Sequence, residues 1–75
     1  MKPEALIAVT FGLAESEISD DTSPESLEDW DSLAHMNLVL EIEDVYGVDL
    51  SADDALEIKD VASLKRVLLA RGVSW

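Results

Sequence analysis

Side chains able to do covalent chemistry are few in this sequence, and they crowd one short stretch. Ser32 follows Asp31 and precedes Leu33, and the single histidine, His35, comes three residues later. With no cysteine, the chain supplies no thiol nucleophile, no zinc thiolate cluster and no disulfide framework. A serine in this setting has three possible jobs. It can cap a helix, since Asp-Ser before an apolar-periodic run is an ordinary helix start. It can be a hydrolase nucleophile, which requires a base, an orienting acid and an oxyanion hole. Or it can be a site of covalent modification, which asks only for an exposed hydroxyl at a helix start beside a surface where an enzyme can dock. His35 is within reach along a helix, but the serine follows Trp30 and Asp31 rather than a glycine-rich strand-to-helix elbow, so nothing would hold an oxyanion. A Ser-His hydrolase is therefore set aside, and any thiol chemistry must arrive on a cofactor.

Carboxylates are the other abundant group. There are 17 Asp and Glu against 5 Lys and Arg, a formal net charge of -12. Between Ala14 and Ile58 there are 15 acidic residues and no Lys or Arg at all. An EF-hand loop needs alternating oxygen ligands, a glycine at its sixth position and a closing Glu. The stretch from Asp20 to Asp31 has no glycine, and Asp49 to Ile58 lacks the ligand ladder. His35 alone makes no zinc site, so no dedicated metal site is expected. The negative field repels nucleic acid and anionic membranes alike, excludes both as partners, and favours proteins with basic surfaces. It also disfavours self-association, so a monomer is expected.

Seventy-five residues make one domain, 1–75, too small to enclose a deep catalytic cavity. The longest uncharged stretch, Ala5 to Ala14, is too short to span a bilayer and lacks the flanks of a secretion signal, so the expected location is the cytoplasm. Lys2-Pro3-Glu4 opens a helix of about three turns, with Leu6, Val9, Thr10 and Leu13 at i, i+3, i+4 and i+7 and a weak point at Gly12. A long acidic loop follows to Asp31, its isolated apolar residues Ile18, Leu27 and Trp30 pinning it to the body. Ser32 to Tyr46 is the strongest helix, opened by Asp31-Ser32 and closed by Gly47. Ser51-Ala52-Asp53-Asp54 offers a capping box for a short helix through Ala55, Leu56 and Ile58, with Leu50 as a staple. Asp60 caps a last helix with Val61, Leu64 and Leu68 on one face, Lys65, Arg66 and Arg71 gathered toward its negative end, and Gly72 as its stop; Trp75 lies beyond as a frayed end. The fold class is all-α, a four-helix bundle of three longer helices and a short third one, with the long loop between helices 1 and 2.

Helix 32–46 carries two apolar stripes. His35, Leu38, Val39, Ile42, Val45 and Tyr46 share one broad face, taken as the core side. Leu33, Met36 and Leu40 form a second stripe roughly opposite, flanked by Glu43 on one side and Asn37 and Asp44 on the other. Either the neighbouring loop covers this stripe, or it is a docking patch ringed by carboxylates for a partner with a hydrophobic groove and a basic rim.

Trp30-Asp31-Ser32-Leu33 at the end of an acidic loop, followed by Leu38-Val39-Leu40-Glu41-Ile42-Glu43-Asp44-Val45-Tyr46-Gly47-Val48 and then by Asp60-Val61-Ala62-Ser63-Leu64 opening the last helix, resembles the acyl carrier protein family over nearly the whole chain. The resemblance implies that a phosphopantetheinyl transferase attaches 4′-phosphopantetheine from coenzyme A to the Ser32 hydroxyl. It implies a carrier that is not itself an enzyme: acyl groups ride as thioesters to partner enzymes in fatty-acid, polyketide or related specialised biosynthesis. Partners would then include the transferase, an acyl-loading ligase or transferase, and acyl-processing enzymes with basic docking surfaces. By the same resemblance Leu33, Met36 and Leu40 would be the apolar recognition contacts, Asp31, Glu41, Glu43 and Asp44 the acidic ones, and Val39, Leu50, Ala55 and Ile58 the surroundings of a tethered chain. Common fatty-acid carriers have Leu-Gly-x where this chain has Glu28-Asp29-Trp30, and an acidic residue where it has Ala34, which points to a specialised member with its own loading enzyme. Trp30 is expected to pack the loop rather than frame the arm. Peptidyl carriers usually show Gly-Gly-His/Asp-Ser at this place; an aminoacyl or peptidyl carrier and an unmodified acidic helical interaction module stay open as alternatives.

Overall fold

The computed structural model describes residues 1–75 and is all-helical. Helix α1 spans Pro3–Phe11, with proline in its first turn, where a missing N–H costs nothing, and Glu4 beside it at the positive end. Gly12 ends the helix rather than weakening it. Its φ of 68° is left-handed, and its N–H reaches back to the carbonyls of Ala8 and Val9. The core face also differs from the expected one: Leu6, Ile7 and Ala8 are buried while Val9 is 71% exposed, and Leu13 packs on the core from outside the helix. Ala5 to Val9 is an uninterrupted apolar run that suits more than one face, and packing against the rest of the bundle selected the one through Ile7.

The acidic loop is an ordered part of the body. It contains a short 3₁₀ turn, Glu15–Glu17, and buries Ile18, Thr22 and Trp30, with Leu27 packed against the same core. Its backbone also completes the last helix: Thr22 O accepts from Val61 N at 3.1 Å and Asp20 O from Ala62 N at 3.0 Å. Those are two of the first-turn amides that a helix cannot satisfy internally. Trp30 packs its ring against Phe11, with centroids 5.7 Å apart, as the packing role requires.

Helix α2 spans Ser32–Tyr46 and stops at Gly47, whose φ is 62°. Leu38 and Ile42 are fully buried; His35, Val39 and Tyr46 are half-buried. Val45, expected on the core side, is 44% exposed: it shares Leu38's side of the helix but lies beyond Ile42, the last buried residue of α2. Helix α3 is short, Ala52–Glu57, and its start is a capping box between Ser51 and Asp54. Helix α4 spans Val61–Ala70 behind a second box formed by Asp60 and Ser63, and buries Val61, Leu64, Val67 and Leu68.

The cations of α4 serve a different purpose from the one expected. Instead of gathering at its C-terminal end, Lys65 binds Glu4 of α1 at 2.7 Å and Asp20 of the loop at 2.6 Å, and Arg71 pairs with Asp54 of α3. A full carboxylate charge at hydrogen-bond distance outweighs the half-charge of a helix end. Trp75 lies exposed beyond Gly72.

Candidate functional site

The first side chain to place is Ser32. Asp31 takes the capping role: its Oδ1 accepts the amide of Ala34 at 2.9 Å. Ser32 is the first residue of α2 and is exposed, so its hydroxyl is left uncommitted at the positive end of the helix. The two residues that read alike as a capping pair thus have separate jobs.

His35 is not a base for that hydroxyl. The indole N–H of Trp30, which can only donate, points to Nδ1 of His35 at 3.0 Å. Nδ1 therefore accepts, the ring proton sits on Nε2, and Nε2–H donates to the Ala55 carbonyl at 2.9 Å. Both nitrogens are occupied, and the rings of Trp30 and His35 lie 6.1 Å apart and nearly parallel, which fixes the imidazole in place.

The second stripe of α2 stands uncovered. Leu33, Met36 and Leu40 are 69%, 66% and 63% exposed, because the loop spends its apolar residues on the core and its backbone on α4. Leu56 of α3, 73% exposed, extends this surface and lines the same cleft as Met36. Sequence reasoning passed over Leu56; the available signal was that Ala55 and Ile58 turn inward on so short a helix, leaving the leucine between them no core to enter. The four carboxylates are not equivalent. Asp31 is the cap, Glu41 accepts from the Thr10 hydroxyl at 2.8 Å, Glu43 accepts from the amide of Leu50 at 2.9 Å, and Asp44 is exposed on the stripe's flank.

Two hollows lie along this side of α2. One, of about 510 Å³, begins at Ser32 and Asp31 and is walled by Trp30, His35, Met36 and Ile58. The other, of about 270 Å³ and mostly apolar, lies between α2 and α3 against Val39, Leu40, Leu50 and Ala55. Of the four residues expected around a tethered chain, Val39, Leu50 and Ala55 meet in the second hollow, while Ala55 and Ile58 line the first. An exposed hydroxyl with a roomy cleft at its side suits a covalently attached arm.

No helix is long and apolar enough to cross a membrane. Among known proteins, the family described as "Phosphopantetheine attachment site" matches residues 4–68. The chain is also similar to the non-reducing polyketide synthase AC of Didymella fabae, with 41% identity over 63 residues, or 83% of this chain. It spans only 2% of that much longer protein. Since the family match runs from the first turn of α1 into α4 and takes in all four helices, the chain belongs to the phosphopantetheine attachment family, and it is a non-catalytic carrier of covalently bound 4′-phosphopantetheine.

Proposed function

We propose that Ser32 is the attachment residue and that the chain carries acyl intermediates of a polyketide-type or related specialised biosynthesis. The observation that carries this is the division of labour at the head of α2: Asp31 caps the helix, and the Ser32 hydroxyl remains exposed and free to react. A phosphopantetheinyl transferase would join the Ser32 oxygen to the phosphate of the pantetheine half of coenzyme A, with the adenosine bisphosphate half leaving and the hydroxyl proton passing to the enzyme's base. When bound, the arm supplies a terminal thiol that holds acyl groups as thioesters, activated for transfer or condensation. The chain's own part is to present that serine. Leu33, Met36, Leu40 and Leu56 give a partner an apolar footing, and Asp31, Glu41, Glu43 and Asp44 steer its basic rim. Val39, Leu50, Ala55 and Ile58 would surround the tethered chain.

The likeness to a polyketide synthase supports the choice of cargo class, and the departures at Glu28-Asp29-Trp30 and Ala34 support a dedicated acyl-loading enzyme. A monomer in the cytoplasm is the setting proposed for these encounters. Intact mass after incubation with coenzyme A, magnesium and a promiscuous transferase tests the assignment. One added phosphopantetheinyl group, lost in Ser32→Ala, is expected. A folded wild-type protein with no mass change, which instead binds a basic partner equally well as Ser32→Ala, would mark an interaction module.

A further inference from the structure

The chain of hydrogen bonds from Trp30 through His35 to Ala55 has no part in attachment or docking as described, yet it occupies the boundary between the two hollows. His35, Met36 and Ala55 line both of them. A chain tethered at Ser32 and lying against Val39 and Leu50 must pass over the point where His35 Nε2–H meets the Ala55 carbonyl.

Helix α3 needs such a tie. At six residues it is too short to hold its shape alone, and it packs on α4, to which Arg71 and Asp54 also bind it. Toward α2, the side-chain hydrogen bond it makes is the one from His35. The Ala55 carbonyl has little else to hold it, since the amide of Ile58 approaches only to 3.4 Å. An apolar contact would let α3 slide along α2, whereas a hydrogen bond between a fixed ring and a backbone carbonyl sets one distance. The ring is fixed from behind by Trp30, which is itself buried.

We propose that His35 is a positioning residue for the cargo: by holding Ala55 it keeps α3 at one spacing from α2 and joins the Ser32 cleft to the Val39–Leu50 groove as a continuous bed for an apolar acyl chain. The inference rests on the carrier assignment of Ser32.

Two substitutions divide the ring's functions. His35→Asn keeps an acceptor near the Nδ1 position but falls short of Ala55, while His35→Gln places an amide N–H near the Nε2 position. Each protein is loaded with an octanoyl or an acetyl thioester by a promiscuous transferase and the matching acyl-coenzyme A. Thioester hydrolysis is followed by mass, and hydrogen exchange at the amides of Ala55 to Ile58 is followed in the unloaded proteins. In His35→Asn, octanoyl hydrolysis should rise about fivefold to tenfold, the effect of losing one net hydrogen bond, and α3 exchange should quicken. His35→Gln should restore both. The acetyl thioester, whose single methyl offers too little apolar surface to bed in the groove, should hydrolyse at one rate in all three proteins. Unchanged octanoyl hydrolysis in His35→Asn would overturn the proposal, as would equal acceleration of octanoyl and acetyl, which would mean general loosening. If the wild type accepts no phosphopantetheine, the carrier assignment fails and the cargo role with it. Exchange in the unloaded proteins still decides whether His35 holds α3, and equal rates in wild type and His35→Asn would refute that hold.

Discussion

Lys65 Nζ lies 2.7 Å from Glu4 Oε2 and, at the same time, 2.6 Å from Asp20 Oδ1, so one cation joins α4, α1 and the acidic loop. In a chain of net charge -12 this is one of two places where a cation answers the surplus of carboxylates directly, the other being Arg71 with Asp54. Lys65→Gln should lower the melting temperature more than Lys59→Gln, whose side chain forms no ion pair. Thermal denaturation at low and high salt checks this, and the gap between the two variants should narrow as salt screens the pairs.

Salt should have the opposite effect on the wild type as a whole. Of the fifteen carboxylates between Ala14 and Ile58 only Asp20 and Asp54 meet a cation, and the others repel one another unanswered. Added salt or magnesium should therefore raise the wild-type melting temperature, and a flat profile would contradict this.

The pH dependence has two edges. The Lys65 ammonium holds the Glu4 carboxyl below its ordinary range; the Ser51 backbone amide, with Arg71, does the same for Asp54, and the Ser63 amide for Asp60. Between the lowered folded value and the ordinary one near 4, the unfolded chain binds more protons, so stability from these groups is present above that range and is lost as pH falls through it. At the alkaline edge, Asp20 and Glu4 raise Lys65, and burial raises the Tyr46 phenol. There the folded chain binds more protons, so stability is full below about pH 10 and declines above it. Denaturation across pH should show a plateau falling at both ends.

Trp30 offers a graded test of the core. Trp30→Ala removes a buried ring and should cost about 3–5 kcal/mol, enough to unfold much of a domain this small. Trp30→Phe keeps most of the packing but leaves His35 Nδ1 without its donor, for a cost of about 1–3 kcal/mol. Urea titration separates the two.

The exposed stripe should behave in the reverse way. Met36→Ala and Leu40→Ala should change stability by less than about 0.5 kcal/mol, because neither side chain is buried. Both should lower kcat/KM for the transferase, and wild-type kcat/KM should fall with ionic strength if Glu41 and Asp44 steer the encounter. Unchanged kinetics in both variants would remove α2 from the docking surface.

How much of this was legible in the sequence depended on whether the signal was local. Both ends of α2 were, because Asp31 and Gly47 act through their own backbone neighbours, and so was the existence of its second apolar stripe, through its spacing; that the loop leaves the stripe uncovered was not. The buried face of α1 was not, since Ala5 to Val9 is apolar at every position and only the packed partner chooses among faces. The ion pairs of Lys65 were invisible because their acids lie far along the chain. The anchor of His35 was invisible for another reason: Ala55 contributes a backbone carbonyl, which every residue has.

The carbonyls of Asp20 and Thr22 that meet the first amides of α4 also constrain how the loop can vary in length. A long surface connection ordinarily takes insertions at little cost, but here added residues before Thr22 would shift those carbonyls and open the first turn of α4. The stretch from Ser23 to Asp29 makes only local polar contacts and is the part that can change length, provided that Leu27 keeps its place against the core. Room for change in this loop is thereby confined to the part that leads directly into Trp30, Asp31 and Ser32, where an incoming protein would meet it first.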